Sequence, residues 1–201
     1  MTKTALIIFT RNPEVGKCKT RLAKTVGDQA ALDIYNYLLQ HTATVAKKVD
    51  VDRYVFYSEN INPNDIWDIA HFSKKLQTGS DLGERMHNAF QELLDSGYQK
   101  VIIIGSDLLD LNEGIIDQAI QKLEHHDVVI GPAEDGGYYL LGMKTLHPEI
   151  FKNKAWGTKT VRQDTLEDLQ NSNVYLLATL NDIDTFEDMK HYEELKKYYN
   201  N

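Results

Sequence analysis

Between two apolar runs, Val128 to Ile130 and Tyr138 to Met143, the chain places Gly131-Pro132-Ala133-Glu134-Asp135-Gly136-Gly137. Packing gives little reason for Glu-Asp-Gly-Gly between two core strands. Adjacent carboxylates can accept a substrate proton or ligate a cation, and paired glycines such as Gly136 and Gly137 let a bound group approach the backbone. The same residues also make a tight hairpin turn, since Asp-Gly and Gly-Gly are common turn dipeptides.

Three further segments carry chemistry-bearing residues. The first, Arg11-Asn12-Pro13-Glu14-Val15-Gly16-Lys17-Cys18-Lys19-Thr20-Arg21, sets cations at alternate positions from 17 to 21. That spacing suits an extended loop clamping a polyphosphate. It is not a Walker loop, because Arg11 stands at the first glycine position and Cys18 at the Ser/Thr position, and the chain has no G-x-G-x-x-G. The second segment is Gly105-Ser106-Asp107 after the apolar run Val101 to Ile104, where Asp107 is placed for a metal or for a helix-entry turn. In the third, Asn181-Asp182-Ile183-Asp184-Thr185, the alternate carboxylates Asp182 and Asp184 face one way on extended backbone and suit Mg²⁺ or Mn²⁺. Thr185 with Asp188 also reads as a helix cap. Trp156, in Trp-Gly-Thr, suits either an acceptor pocket or a core anchor.

The elements that must hold these loops alternate. Strands are predicted at Thr4–Thr10, Arg53–Ser58, Lys75–Thr78, Val101–Ile104, Val128–Ile130, Tyr138–Met143 and Val174–Thr179. Helices are predicted from about Asp28 to Lys48, at Asn62-Pro63, from Asp81 with Glu84 to Gly97, over Asn112–His126, over Thr160–Gln170 and from Thr185 to Tyr199. The helix after Asp81 is expected to bury Leu82, Met86, Ala89, Phe90, Leu93 and Leu94. The pattern predicts an α/β three-layer sandwich with a mainly parallel mixed sheet in one domain over residues 1–201. In such sheets ligands bind beyond the carboxyl ends of the strands, so the loops after the first, fourth and fifth strands should share a crevice.

Composition agrees with a folded chain of 201 residues, 42% hydrophobic and 26% charged. A single cysteine excludes an internal disulfide, no apolar run reaches a membrane-spanning length, and the absence of an export-like segment predicts a cytoplasmic location. The net charge of −8 is uneven: residues 1–25 carry six Lys/Arg against Glu14 alone, leaving −13 on the remainder. A basic segment in an acidic chain points to a local anion site or to surface charge; a nucleic-acid binder would be basic over a whole face. No Cys/His spacing resembles a zinc site.

The segments Thr10 to Pro13, Gly16 to Leu22, Gly79 to Met86, Gly105 to Asp107, Pro132 to Tyr139 and Asp182 to Thr185, in that order, resemble one family across essentially the whole chain. It is the bacterial glycosyltransferase-A-like family of nucleotide-diphospho-sugar transferases, often described as radical-SAM/selenodomain-associated transferases. The resemblance implies a Rossmann-like nucleotide-diphospho-sugar transferase fold, a nucleotide over the first loop and a divalent cation, Mg²⁺ or Mn²⁺. It implies nucleotide contacts from Arg11, Gly16, Lys17, Lys19 and Arg21, and from Gln77, Gly79, Gly83 and Arg85 near the base. It implies metal ligation by Asp107, Asp182 and Asp184. Glu134 and Asp135 are expected to act on the reacting centre, with Gly136, Gly137 and Trp156 around the acceptor. Where the family's usual motif is Gly-Ser/Thr-Asp-Cys-Pro, this chain has Leu108-Leu109 after Asp107, so the loop lacks its proline.

Three activities fit these expectations. The first is glycosyl transfer from a nucleotide sugar to a small acceptor, with a nucleoside diphosphate leaving. The second is nucleotidyl transfer to a phosphorylated small molecule, with pyrophosphate leaving. The third is nucleotide binding without turnover.

Overall fold

The computed structural model describes residues 3–199, so the two residues at either end of the predicted domain lie outside it. Seven strands form one sheet: β1 (Thr4–Thr10), β2 (Asp52–Tyr57), β3 (Ser73–Leu76), β4 (Lys100–Ile104), β5 (Val128–Pro132), β6 (Tyr138–Met143) and β7 (Val174–Leu176). Their order is β3-β2-β1-β4-β6-β5-β7. All neighbouring pairs are parallel except those of β6, which runs antiparallel to both β4 and β5.

Side-chain alternation along the strands divides the interior into two layers. Leu6 and Ile8 of β1 with Ile102 and Ile104 of β4 join one buried cluster, together with Tyr35, Leu39 and Ala43 of α2 (Asp28–Lys48) and Ile116 and Ala119 of α4 (Glu113–Lys122). Ala5 and Ile7 of β1 with Val101 and Ile103 of β4 join the other, with Met86, Phe90 and Leu93 of α3 (Leu82–Asp95). Helices on both faces of the sheet give the three-layer arrangement that the alternating elements predict.

A third buried cluster ties the first loop to the C-terminal segment. Leu22 of α1 (Thr20–Val26) packs there with Ile34, Leu38, Leu109, Ile183, Met189 and Leu195. Leu108 is buried in the first cluster and Leu109 in the third, so burial of these two side chains fixes the loop after β4 in place of a proline.

Four sequence expectations are corrected. Residues 20–26 form α1 within a stretch read as an extended loop. No helix follows Asn62-Pro63: the side chains of Asn62 and Asp65 accept the backbone N–H groups of Asn64 and Trp67, at 3.0 Å each, and hold local turns instead. The last helix is split into α6 (Phe186–Met189) and a 3₁₀ segment at Glu193–Tyr198, because Tyr192 between them is extended and its hydroxyl donates to Asp110 Oδ2 at 2.7 Å. Leu82, expected in the core, is 44% exposed on the first turn of α3. Among the described residues no helix is long and apolar enough to cross a membrane.

Candidate active site

The loops beyond the carboxyl ends of β4 and β5 meet the C-terminal acidic segment, as a mainly parallel sheet requires. Asp107 lies three residues beyond the end of β4, and its backbone carbonyl accepts the Ile183 N–H at 3.1 Å, which pins the 181–184 segment beside it. Ile183 is fully buried, and Asp182 and Asp184 on either side of it both approach the Lys19 ammonium. Thr185 is also a cap, as its sequence suggests: Asp188 Oδ2 accepts from its backbone N–H at 2.6 Å and from its hydroxyl at 2.7 Å. The segment therefore both starts α6 and presents carboxylates.

A cavity of about 190 Å³ opens here, with Asp107, Asp135 and Asp182 in its wall. Apolar groups make up much of the remainder: Leu82, Met86, Leu108, Tyr138, Tyr139, Trp156 and Val161. Leu82 is exposed because it faces this space. Burial, then the neighbouring Asp107 and, more weakly, Asp135, push the Asp182 carboxyl up to about 6, against a smaller lowering by Lys19. Mutual repulsion of this kind is what a bound cation relieves.

Lys19 Nζ donates to Asp107 Oδ2 at 2.8 Å and its side chain is only 7% exposed. The attraction of Asp107, Asp184 and Asp182 outweighs its burial and raises its pKa. Arg21, 70% exposed, donates to Asp184 Oδ2 at 2.9 Å. Lys17 is exposed and pairs with Glu14 at 2.7 Å. The three cations therefore do not line up as one clamp. Lys19 takes a left-handed conformation (φ 49°, ψ 46°) and α1 starts at the next residue, which turns each side chain toward a different partner.

A second depression of about 220 Å³, lined by Arg11, Asn12, Lys17, Ser58, Glu59 and Arg85, carries three cations against one carboxylate. The Tyr35 hydroxyl fixes the Arg11 backbone, accepting its N–H at 3.0 Å and donating to its carbonyl at 3.3 Å. Gln77 donates to the strand-end carbonyls of Phe56 and Thr10, and its own carbonyl accepts Arg85 Nη1 at 3.5 Å. Arg85 Nε also donates to the Gly79 carbonyl at 3.2 Å. Gln77 and Gly79 thus position Arg85. Gly16 adopts φ +75° in the turn that closes with the Lys17 N–H on the Glu14 carbonyl.

Several expected site residues prove structural. A Cβ on Gly83 would stand 2.3 Å from the Phe151 carbonyl and against the Trp156 ring, so this glycine lets α3 pack closely and does not face a nucleotide. A Cβ on Gly136 (φ +94°) would meet the Lys159 backbone at 2.4 Å, so Gly136 serves the turn and not the acceptor space. Glu134 is exposed and does not line the crevice; its N–H donates to Leu180 O, and only Asp135 of the pair faces the cavity. Asp135 Oδ1 accepts the Gly137 N–H at 2.8 Å, so the hairpin turn and the site carboxylate are the same feature. Asp184 pairs with Arg21 and, unlike Asp107 and Asp182, does not line the cavity.

Among the described residues no three His, Cys, Asp or Glu side chains converge as a ready cage for an ion. The donor set fits a hard cation held by one or two carboxylates, Asp107 and Asp182, with other positions left for water and phosphate oxygens, as Mg²⁺ commonly is. Sequence reading missed Ser58 and Thr158 in the walls of the two spaces, and Tyr35, which holds the Arg11 backbone. Tyr35 could have been noticed, because it carries the one hydroxyl in the stripe Ala31, Ile34, Tyr35, Leu38.

The sheet order, the antiparallel β6 and the acidic crevice at the strand ends define the nucleotide-diphospho-sugar transferase type of α/β fold. The "putative nucleotide-diphospho-sugar transferase" of Desulfovibrio desulfuricans G20 is 31% identical, with a TM-score of 0.85, covering 100% of this chain and 94% of that one. A cytidylyltransferase from Leptospira borgpetersenii is 13% identical with a TM-score of 0.64, covering 99% of this chain and 88% of that one. The 4-diphosphocytidyl-2C-methyl-D-erythritol synthase of Anaerococcus prevotii is 11% identical with a TM-score of 0.63, covering 100% and 97%. The last two likenesses are of fold alone. A comparison with curated proteins returns no match. The family model described as "Uncharacterized protein conserved in bacteria (DUF2064)" matches residues 41–158, and the chain belongs to this family.

Proposed function

We propose that the chain is a metal-dependent, nucleotide-using transferase that moves a sugar from a nucleotide-sugar donor to a hydroxyl of a small acceptor. The observation that carries this reading is the separation of two charged spaces: a basic depression at Arg11, Lys17 and Arg85, and a carboxylate-walled, largely apolar cavity at Asp107, Asp135 and Asp182. The first suits the anionic donor. The second suits an uncharged ring against Trp156, Leu82 and Met86, with a carboxylate to accept a proton. Likeness to the Desulfovibrio protein, through its description, supports the same class.

Asp107 and Asp182 would hold Mg²⁺ or Mn²⁺, which would offset charge on the diphosphate as it leaves. Asp135 takes the proton of the acceptor hydroxyl while its oxygen bonds to the sugar carbon and the bond from that carbon to the phosphate oxygen breaks. A nucleoside diphosphate departs. Arg11, Lys17 and Arg85 bind the donor and Trp156 orients the sugar.

Nucleotidyl transfer with release of pyrophosphate is the second reading, since the same fold also serves the cytidylyltransferase of Leptospira borgpetersenii. A triphosphate would favour dense, unpaired cations in the first loop, but Lys19 and Arg21 are paired with Asp107 and Asp184.

The test is a panel of nucleotides and nucleotide sugars with Mn²⁺, read by melting temperature and by the released product. Nucleoside diphosphate release with a sugar donor is expected; pyrophosphate release from a triphosphate would replace the first reading by the second. Asp107→Asn should abolish the metal-dependent stabilisation by nucleotide while the ligand-free protein stays folded.

A further inference from the structure

Phosphate binding by the first loop leaves one of its groups unexplained, because the Lys19 ammonium is sequestered. It stands 2.8 Å from Asp107 Oδ2 and 4.0 Å from Asp184 Oδ1 with its side chain 7% exposed. The backbone beneath it is in the left-handed region at φ 49°, an uncommon conformation for a residue with a Cβ. Such a conformation persists only where the surroundings over-determine it. Here α1 follows at once and is anchored by fully buried Leu22. The fold therefore delivers a cation to Asp107, the carboxylate that the proposed function assigns to the metal. An ammonium and a divalent ion repel one another at such a site.

We propose that Lys19 is the resident counter-cation of the Asp107, Asp182 and Asp184 cluster, which yields Asp107 to a divalent ion only when the ion arrives with the donor's phosphates. The freed ammonium, on its flexible stem, then pairs with a phosphate oxygen. This rests on the metal assignment of the proposed function and adds coupling between the two ligands. Metal alone meets the ammonium's repulsion, whereas metal with a diphosphate gives the ammonium a new partner. By reciprocity the nucleotide also binds poorly without the metal. Neither neighbouring cation stands against Asp107, since Arg21 pairs with Asp184 and Lys17 with Glu14.

The experiment measures Mn²⁺ binding by electron paramagnetic resonance for the wild type, Lys19→Met and Lys19→Arg, first with Mn²⁺ alone and then with UDP, GDP, CDP and ADP in turn. Lys19→Met should bind Mn²⁺ alone on the order of 10- to 100-fold more tightly than the wild type, the effect of removing a like charge a few ångströms away. Lys19→Arg should behave as the wild type. A nucleotide should tighten Mn²⁺ binding to the wild type by a larger factor than to Lys19→Met. A parallel measurement needs no substitution in the test sample: in ¹⁵N-lysine-labelled wild type, the Lys19 Nζ resonance should move little with Mg²⁺ alone and clearly with Mg²⁺ plus the nucleotide that binds. Unchanged or weaker Mn²⁺ binding by folded Lys19→Met, or a stationary Lys19 resonance at saturation with Mg²⁺ and nucleotide, overturns the proposal. Equal tightening by nucleotide in wild type and Lys19→Met would overturn the displacement while leaving the transferase reading intact. Absence of Mn²⁺ binding with every nucleotide would overturn both.

Discussion

Replacing Asp182 with Asn should stabilise the ligand-free protein, by a gain that builds up between about pH 4 and pH 6 and is complete above that. Its folded carboxyl is pushed up to about 6 from an ordinary 3.8, chiefly by burial and then by Asp107. The sign follows from which state holds the proton. Between pH 4 and pH 6 the folded chain keeps a proton that the unfolded chain has released, so stability contributed by the protonated group is present at low pH and is lost as pH rises through about 6. A gap of about two pH units at roughly 1.4 kcal/mol each sets an upper bound of about 3 kcal/mol. The carboxylate is partly in water, and screening lowers the expected gain to about 1–2 kcal/mol. For a chain of this length that is a rise in melting temperature of roughly 2–8 °C.

The assay is thermal unfolding of wild type and Asp182→Asn in EDTA at pH 8 and pH 4. Near pH 4 the wild-type carboxyl is itself neutral, so the two proteins should melt together. At pH 8 the variant should melt higher, and in samples without EDTA it should also lose the extra stabilisation that nucleotide and Mn²⁺ give the wild type. A variant that melts lower at pH 8, or one with equal gains at both pH values, refutes the reasoning, because the effect would then not come from charging a crowded carboxylate.

Other outcomes follow from the same geometry. Arg11→Ala, Lys17→Ala and Arg85→Ala should each weaken nucleotide binding by about 1–3 kcal/mol in titration calorimetry, the range for charge-assisted hydrogen bonds; wild-type affinity in all three would reduce the basic depression to surface charge. Asp135→Asn should lower turnover by about 10² to 10⁴ with nucleotide affinity nearly intact, and undiminished turnover would leave Asp135 only its turn. Gly136→Val and Gly83→Ala should lower the melting temperature, because each added side chain strikes backbone, at Lys159 and Phe151 respectively; a folded, stable Gly136→Val that fails only in acceptor binding would return Gly136 to the acceptor site.

What the sequence disclosed and what it concealed have physical reasons. Val101 to Ile104 is legible because consecutive β-branched residues leave no solvent face, and Asp107 is legible because a carboxylate just beyond such a strand has no packing role. Residues 20–26 concealed α1 because its first turn lacks an acidic residue and Leu22 is its one fully buried side chain, so no apolar stripe betrays it. The break after Met189 depends on a tertiary bond between Tyr192 and Asp110, and no local pattern reports a partner 82 residues away.

The charges were the most misleading feature, and for an instructive reason. Counting Lys17, Lys19 and Arg21 together assumed that spacing along the chain fixes direction in space, which holds only on uniformly extended backbone. One left-handed residue at Lys19 and a helix beginning at Thr20 break that uniformity. They send one cation to Glu14, one into Asp107 and one to Asp184. The acidic segments had the converse fate: Asp107, Asp135 and Asp182 lie far apart in sequence but converge, because strand ends of a mainly parallel sheet share one rim. A site assembled from strand ends can therefore be inferred from fold class and the residue types at those ends. The pairing of its charges depends on the backbone angles of a few loop residues, and no composition or spacing encodes these.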